Sequence, residues 1–194
     1  MIIGFSGKKQ SGKDTAIREI LGVFGKVRPI RVVRFADELK RIVTTCFDVR
    51  PSDFETEEGK QRRVHPSYKT VRELLQIIGT DVFRELDPDC WVNAYSMQVD
   101  RLKNDIIHET EGLWYPLILT PDVRFPNEVE AIHRLGGVVI RLTRNPIQDF
   151  HFSETALDGF EGFDAVLDNR QLTIAQQNAA MWCLLTEKGW LDRD

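Results

Sequence analysis

The sequence predicts an α/β fold in which a parallel sheet is flanked by helices, and three observations carry that prediction. Short apolar runs alternate along the chain with segments of helical period, the pattern of βαβ units. The first strand-like run leads at once into a glycine-rich loop and then a helix. With 194 residues, 42% of them apolar and 29% charged, the chain can bury one ordinary core without disulfides or a structural metal. A disordered, collagenous or membrane-embedded chain is excluded by that composition.

Residues 2–5 are a short apolar run, read as a buried strand. In the helix that follows its loop, Ile17, Ile20, Leu21 and Phe24 recur at i, i+3, i+4 and i+7, and Gly25 is read as the stop. Residues 30–35, rich in β-branched side chains, predict the second strand, and 36–46 a helix. Residues 48–67 are polar and contain two prolines, so they are read as a surface excursion. Val71, Leu74, Leu75 and Ile78 line one side of a helix that Gly79 is expected to stop. Val92, Tyr95, Val99, Leu102 and Ile106, three and four apart, predict a long amphipathic helix whose pattern is too brief for a coiled coil. Residues 116–120 predict a third strand, 127–135 a helix and 138–142 a fourth strand. Residues 145–162 lack a clear period, 165–167 suit a short fifth strand, and 173–188 a closing helix. The organisation expected is a single domain over 1–194, with a helical insertion at about 48–110 and a short lid at about 145–162.

Charge narrows the function classes. Lys and Arg total 26 against 30 Asp and Glu, a balance of −4. A protein that grips a long nucleic-acid backbone carries a basic surplus, so DNA binding is not expected and any phosphate binding is local. Cys46, Cys90 and Cys183 are far apart and form no metal-ligand spacing, which suits reduced thiols. No run is long and apolar enough for a membrane span, so the expected location is the cytoplasm.

The chemistry begins at GKKQSGKDT, residues 7–15, which matches G-x-x-x-x-G-K in the context strand–loop–helix. Glycines let backbone N–H groups close on phosphate oxygens at a helix N-terminus, and the lysine brings a mobile charge to the β- and γ-phosphates. The ATP-binding set is therefore Gly7, Lys8, Ser11, Gly12, Lys13, Asp14 and Thr15 of a P-loop, with Lys13 catalytic. The residue after the lysine is usually Ser or Thr, but here it is Asp14. Thr15 is then the candidate hydroxyl for Mg²⁺, and Asp14 a candidate helix cap. No NKxD motif is present, which disfavours a GTPase.

FADELK at 35–40, RELLQIIGTDVFRELDPDCWV at 72–92, PDVRFPNE at 121–128 and HFSE at 151–154, together with the P-loop, resemble the deoxynucleoside monophosphate kinases of bacteriophages, a branch of the P-loop NMP-kinase fold. The resemblance covers nearly the whole chain. It implies ATP as phosphoryl donor, Mg²⁺ as cofactor and a deoxynucleoside 5′-monophosphate as acceptor.

Asp122, after the third strand, is a candidate Mg²⁺ ligand or a turn aspartate. Arg124 could reach a phosphate or pair with Glu128. The FAD segment in the resembling kinases lines the acceptor pocket, which implies Asp37 and Lys40 there, with an N-cap as the other role of Asp37. Arg72, Gln76 and Thr80 recur at four-residue intervals: Arg72 suits an acceptor phosphate and Gln76 a base edge, unless the face is simply solvated. Trp91 either walls the base or belongs to the core.

The lid has four acids and no Lys or Arg, so a lid arginine is sought at its edges. Arg144 is the catalytic choice, with Arg141 and Arg170 beside it. His151 and Glu154 are candidates without an assigned role. The competing readings are a P-loop kinase for a modified base in DNA or a coenzyme precursor, and a nucleotide-binding regulator without catalysis. Base preference, ribose exclusion and homodimer formation are left open.

Overall fold

The structure is a computed structural model that describes residues 1–65, 67–144 and 152–191. The chain divides into two compact units, Met1–Arg34 with Ser96–Asp194, and Phe35–Tyr95. The second unit thus starts and ends earlier in the chain than the 48–110 insertion expected from sequence.

In the first unit, strands β1 (Ile2–Ser6), β2 (Ile30–Val32), β5 (Leu117–Val123), β6 (Val138–Leu142) and β7 (Ala165–Leu167) form one sheet in the order β2-β5-β1-β6-β7. Every pairing in it is parallel. All five residues of β1 are buried, as expected for a parallel strand covered on both faces. Ile3 and Phe5 point into a core shared with helix α1 (Lys13–Phe24) and helix α9 (Ile174–Glu187). On the opposite face, a Cβ at Gly4 would lie 2.6 Å from Ile132 of helix α7 (Pro126–Arg134). Helix α1 ends as the sequence predicts, with the Gly25 N–H donating to the Leu21 carbonyl.

Two strands depart from expectation. β2 is three residues long rather than six: the Val33 N–H still donates to Leu119, and the ladder ends there. β5 runs past residue 120 to Val123, so Asp122 lies inside the strand. Its register slips between Gly4↔Thr120 and Ser6↔Val123, where three steps of β5 face two of β1. Pro121 has no N–H to give to a ladder, and the bulge forms where that donor is missing.

The second unit contains helix α2 (Asp37–Cys46), a 3₁₀ turn at Pro51–Phe54, helix α3 (Glu57–Gln61), the antiparallel pair β3 (Arg63–Val64) and β4 (Lys69–Thr70), helix α4 (Val71–Gln76), a π-helical turn at Ile77–Val82 and helix α5 (Phe83–Leu86). The polar excursion is thus structured, not open loop. Its core gathers Leu39, Val43, Val49, Phe54, Val64, Val71, Leu74 and Trp91. Helix α6 (Cys90–Glu109) begins in this unit and continues into the first.

Gly79 does not stop a helix. It lies in the π turn, where an added Cβ would meet Leu39 of α2 at 2.6 Å. The glycine serves close helix approach, and the chain goes on into α5. Helix α8 (Phe152–Thr155) is the described start of the lid segment. Among the described residues no helix is long and apolar enough to cross a membrane.

Candidate active site

The P-loop joins β1 to α1, and its path is set by positive φ. Gly7 has φ 150°, Gly12 φ 102°, and Gln10 between them φ 60°. A Cβ at Gly7 would lie 2.9 Å from the Leu142 carbonyl, and one at Gly12 would collide with Gln177. Only glycine suits both positions. Gly12 is the N-cap of α1 and no side chain caps the helix, which corrects the reading of Asp14 as a cap. Asp14 is exposed in the first turn, where its charge complements the helix dipole.

Lys13 folds back over the loop. Its Nζ donates to the Gly7 carbonyl at 2.6 Å, the Lys8 carbonyl at 2.8 Å and Ser11 Oγ at 3.3 Å. Burial lowers its ammonium to about 8; the charges of Arg124 and Arg141 act the same way, and Asp14 and Asp122 oppose them. Lys13, Arg124, Arg141, Asp14 and Asp122 therefore share one electrostatic neighbourhood.

Two buried side chains that the sequence reading missed hold the loop from beneath. Asn169 Nδ2 donates to the Ser11 carbonyl at 2.7 Å and to Gln177 Oε1 at 2.6 Å, while Gln177 Nε2 donates to the Gly12 carbonyl at 3.1 Å. Both residues are at most 1% exposed. A signal existed: Gln177 precedes Met181 and Leu185 at intervals of four on the buried side of α9, a polar residue in an apolar stripe.

The arginines sort differently from the sequence expectation. Arg144 donates from Nε and Nη2 to the Asn169 carbonyl at 3.2 and 2.9 Å, and from Nη2 to Leu172. Its backbone N–H donates to Asn169 Oδ1 at 2.9 Å. Those bonds make Arg144 a brace for the segment that carries Asn169, whereas the sequence reading expected it to be the catalytic arginine of the lid. Arg141 instead turns toward the P-loop, donating to Ser6 Oγ at 2.8 Å and lying 3.5 Å from Asp158. Arg124 pairs through its guanidinium with Glu154; Glu128 takes its backbone N–H at 2.7 Å, so the expected Arg124–Glu128 side-chain pair is replaced. Arg170 is exposed and closes a 2.6 Å pair with Asp168.

Lys8 donates to the Glu154 carbonyl and to Asp158 Oδ2, both at 2.6 Å. His151 and residues 145–150 of the lid lie outside the described residues. Among the described residues no cluster of three or more His, Cys, Asp or Glu forms a metal centre. Thr15, in the first turn of α1, and Asp122, a carboxylate whose charge acts on Lys13, are of the types that fit the sparse protein ligation usual for Mg²⁺ with phosphates.

The acceptor candidates all belong to the second unit. Asp37 is the first residue of α2, whose N-cap is Ala36, so its N-cap reading is corrected. Lys40 Nζ lies 5.6 Å from the Phe54 ring centroid. Arg72 pairs with Glu57 at 2.7 Å. Gln76 ends α4, and Thr80 falls in the π turn, whose i→i+5 bonding breaks the four-residue alignment expected with Arg72 and Gln76. Trp91 is 5% exposed, packs on Phe83 at 5.0 Å and donates from Nε1 to the Gly79 carbonyl at 2.8 Å. Those contacts seat it in the core of this unit, one of the two roles the sequence allows.

A parallel sheet whose first strand opens into this loop and helix defines the P-loop class of phosphate-binding folds. Comparison with known proteins takes the assignment further. The sequence model of the family described as "Deoxynucleotide monophosphate kinase" matches residues 52–177. A protein of Acanthamoeba polyphaga mimivirus named "Putative deoxynucleotide monophosphate kinase" is 30% identical over 181 residues, covering 88% of this chain and 89% of that protein. The chain belongs to the deoxynucleotide monophosphate kinase family. Among solved structures it is similar to a mutant of the Mycobacterium tuberculosis APS kinase CysC, at 16% identity and a TM-score of 0.40 over 95% of this chain and 96% of that one. It is also similar to the crystal structure of APE1195, at 11% identity and a TM-score of 0.42 over 96% and 95% of the two chains.

Proposed function

We propose that the protein transfers the γ-phosphoryl group of ATP to a deoxynucleoside 5′-monophosphate, giving ADP and the diphosphate. The observation that carries this reading is the gathering of Lys13, Arg124 and Arg141 at the P-loop of a chain belonging to this family. An acceptor phosphate oxygen, already ionised near neutral pH, forms the new bond to the γ-phosphorus as the bond to the β-bridging oxygen breaks. No general base is needed, and catalysis is positioning plus neutralisation of spreading charge.

The loop's backbone N–H groups and Lys13 bind the donor phosphates, and Lys13 exchanges its carbonyl partners for phosphate oxygens. Arg124 and Arg141 add positive charge where it develops. Mg²⁺ is the metal of this proposal; Thr15 and Asp122 would hold it, and it would offset charge on the phosphates. Arg72 is proposed for the acceptor phosphate and Gln76 for the base edge, with Asp37, Lys40 and Thr80 completing the acceptor set. Action in the cytoplasm, of the host for a phage-encoded chain, belongs to the same proposal.

The test is a coupled ADP-release assay across the common and modified deoxynucleoside monophosphates, with ribonucleotides as controls. ADP release with at least one deoxynucleotide acceptor is expected. ATP binding without ADP release for any acceptor would leave a regulator.

A further inference from the structure

The lid's acids have a specific place. Glu154, with a side chain only 8% exposed, accepts the backbone N–H of Lys9 in the P-loop at 3.2 Å through Oε2, and its Oε1 pairs with Arg124. Its backbone carbonyl takes Lys8 Nζ, which also reaches Asp158 Oδ2 at 2.6 Å. Asp158 Oδ1 lies 3.5 Å from Arg141. A loop N–H, the loop's first lysine and the two arginines whose charges act on Lys13 are thus all engaged by one short segment of the lid. These are donor types that recognise phosphate oxygens: nest N–H groups, an ammonium and guanidinium forks.

The Lys9 N–H has one proton and cannot serve a carboxylate and a phosphate at once, and around the Lys8 ammonium and the two guanidiniums the two anions repel each other. We propose that Glu154, backed by Asp158, is a built-in competitor of the donor triphosphate. The phosphates take the P-loop by exchange with the lid carboxylates, and breaking those lid contacts subtracts from the apparent affinity for ATP. The same exchange couples arrival of the triphosphate to release of the lid segment from Arg124 and Arg141, freeing both guanidiniums when the charge they must neutralise has arrived. It also gives a physical reason for a lid with acids and no basic residue. This proposal rests on the P-loop being the donor site.

The test titrates ATP and inorganic tripolyphosphate separately into the full chain by calorimetry, for wild type, Glu154→Gln, Asp158→Asn and Lys13→Ala. Glu154→Gln keeps the side-chain shape and removes its charge, and binding about tenfold tighter is expected for both ligands. Asp158→Asn, at an exposed position, is expected to tighten binding about threefold. Tripolyphosphate has no base or sugar, so an equal gain with it assigns the effect to phosphate. Binding by Glu154→Gln that is unchanged or weaker overturns the proposal. If circular dichroism shows that this variant does not fold, the same criterion applies to Asp158→Asn. Lys13→Ala that binds ATP as tightly as wild type is a different failure, because it removes the donor-site reading itself.

Discussion

At the P-loop, seven consecutive residues lay out the binding geometry with their own backbone, and Lys13 is held by atoms two to six residues away. In the unit Phe35–Tyr95 the acceptor candidates come from separate helices, and their partners lie elsewhere in the chain: Arg72 meets Glu57, and Trp91 meets Gly79. A site made of contiguous backbone carries its geometry in its spelling. A site made of side chains on several helices depends on the phase of each helix, and the π turn at Ile77–Val82 changes that phase. The contrast can be pressed by substitution on both sides.

Lys13→Ala has the largest expected effect, a fall of ~10²–10³-fold in kcat with the fold intact by circular dichroism. Retention of half the wild-type rate would remove catalysis from this loop. Next, Arg124→Ala is expected to lower kcat about 100-fold and more than it weakens ATP binding, since a contact made only in the transition state appears in kcat. Arg144→Ala, which loosens a brace, should act mainly on ATP affinity and thermal stability. Steady-state kinetics with a direct ATP titration separate the two, and a larger kcat loss in Arg144→Ala would reverse their roles.

Gln177→Leu leaves the Gly12 carbonyl and the Asn169 amide without their buried partner, so a stability loss of about 1–3 kcal/mol is expected in denaturant unfolding. On the acceptor side, Trp91→Phe removes the hydrogen bond to Gly79 and should cost about 1 kcal/mol while the rank order of deoxynucleotide substrates stays the same. Gln76→Ala should change that rank order; a preserved order would show that Gln76 does not read the base.

A pH dependence tests Lys13 through stability rather than rate. Lys13 titrates at about 8 in the folded protein and at 10.5 in the unfolded chain. Between those values the unfolded state holds a proton that the folded state has released, so stability rises with pH there. Wild type should gain stability relative to Lys13→Met from pH 8 to 10 in urea melts. A flat difference would mean that Lys13 is not desolvated.

Much of the first unit was legible because apolar period and glycine placement are local: β1, α1 with its stop at Gly25, β6 and α9 stand where the pattern puts them. What was not legible depends on partners distant in sequence. Gly79 reads as a stop until Leu39 is known to lie against it, and Arg144 reads as free until Asn169 and Leu172 take its donors. Asn169 and Gln177, 158 and 165 residues from the carbonyls they support, belong to no short motif.

The slip at Pro121 makes chain length itself part of the site. Successive strand residues face opposite sides of a sheet, and a shift of one reverses every later side chain. The extra residue between Thr120 and Val123 therefore determines on which side Asp122 emerges, just before Arg124. Deleting one residue here would draw the following chain back by about 3.3 Å and invert its facing, with no loss of any charged group. Between residues 120 and 124, insertions and deletions should be less tolerated than substitutions, and homologous chains compared across this stretch should keep its length more strictly than its spelling.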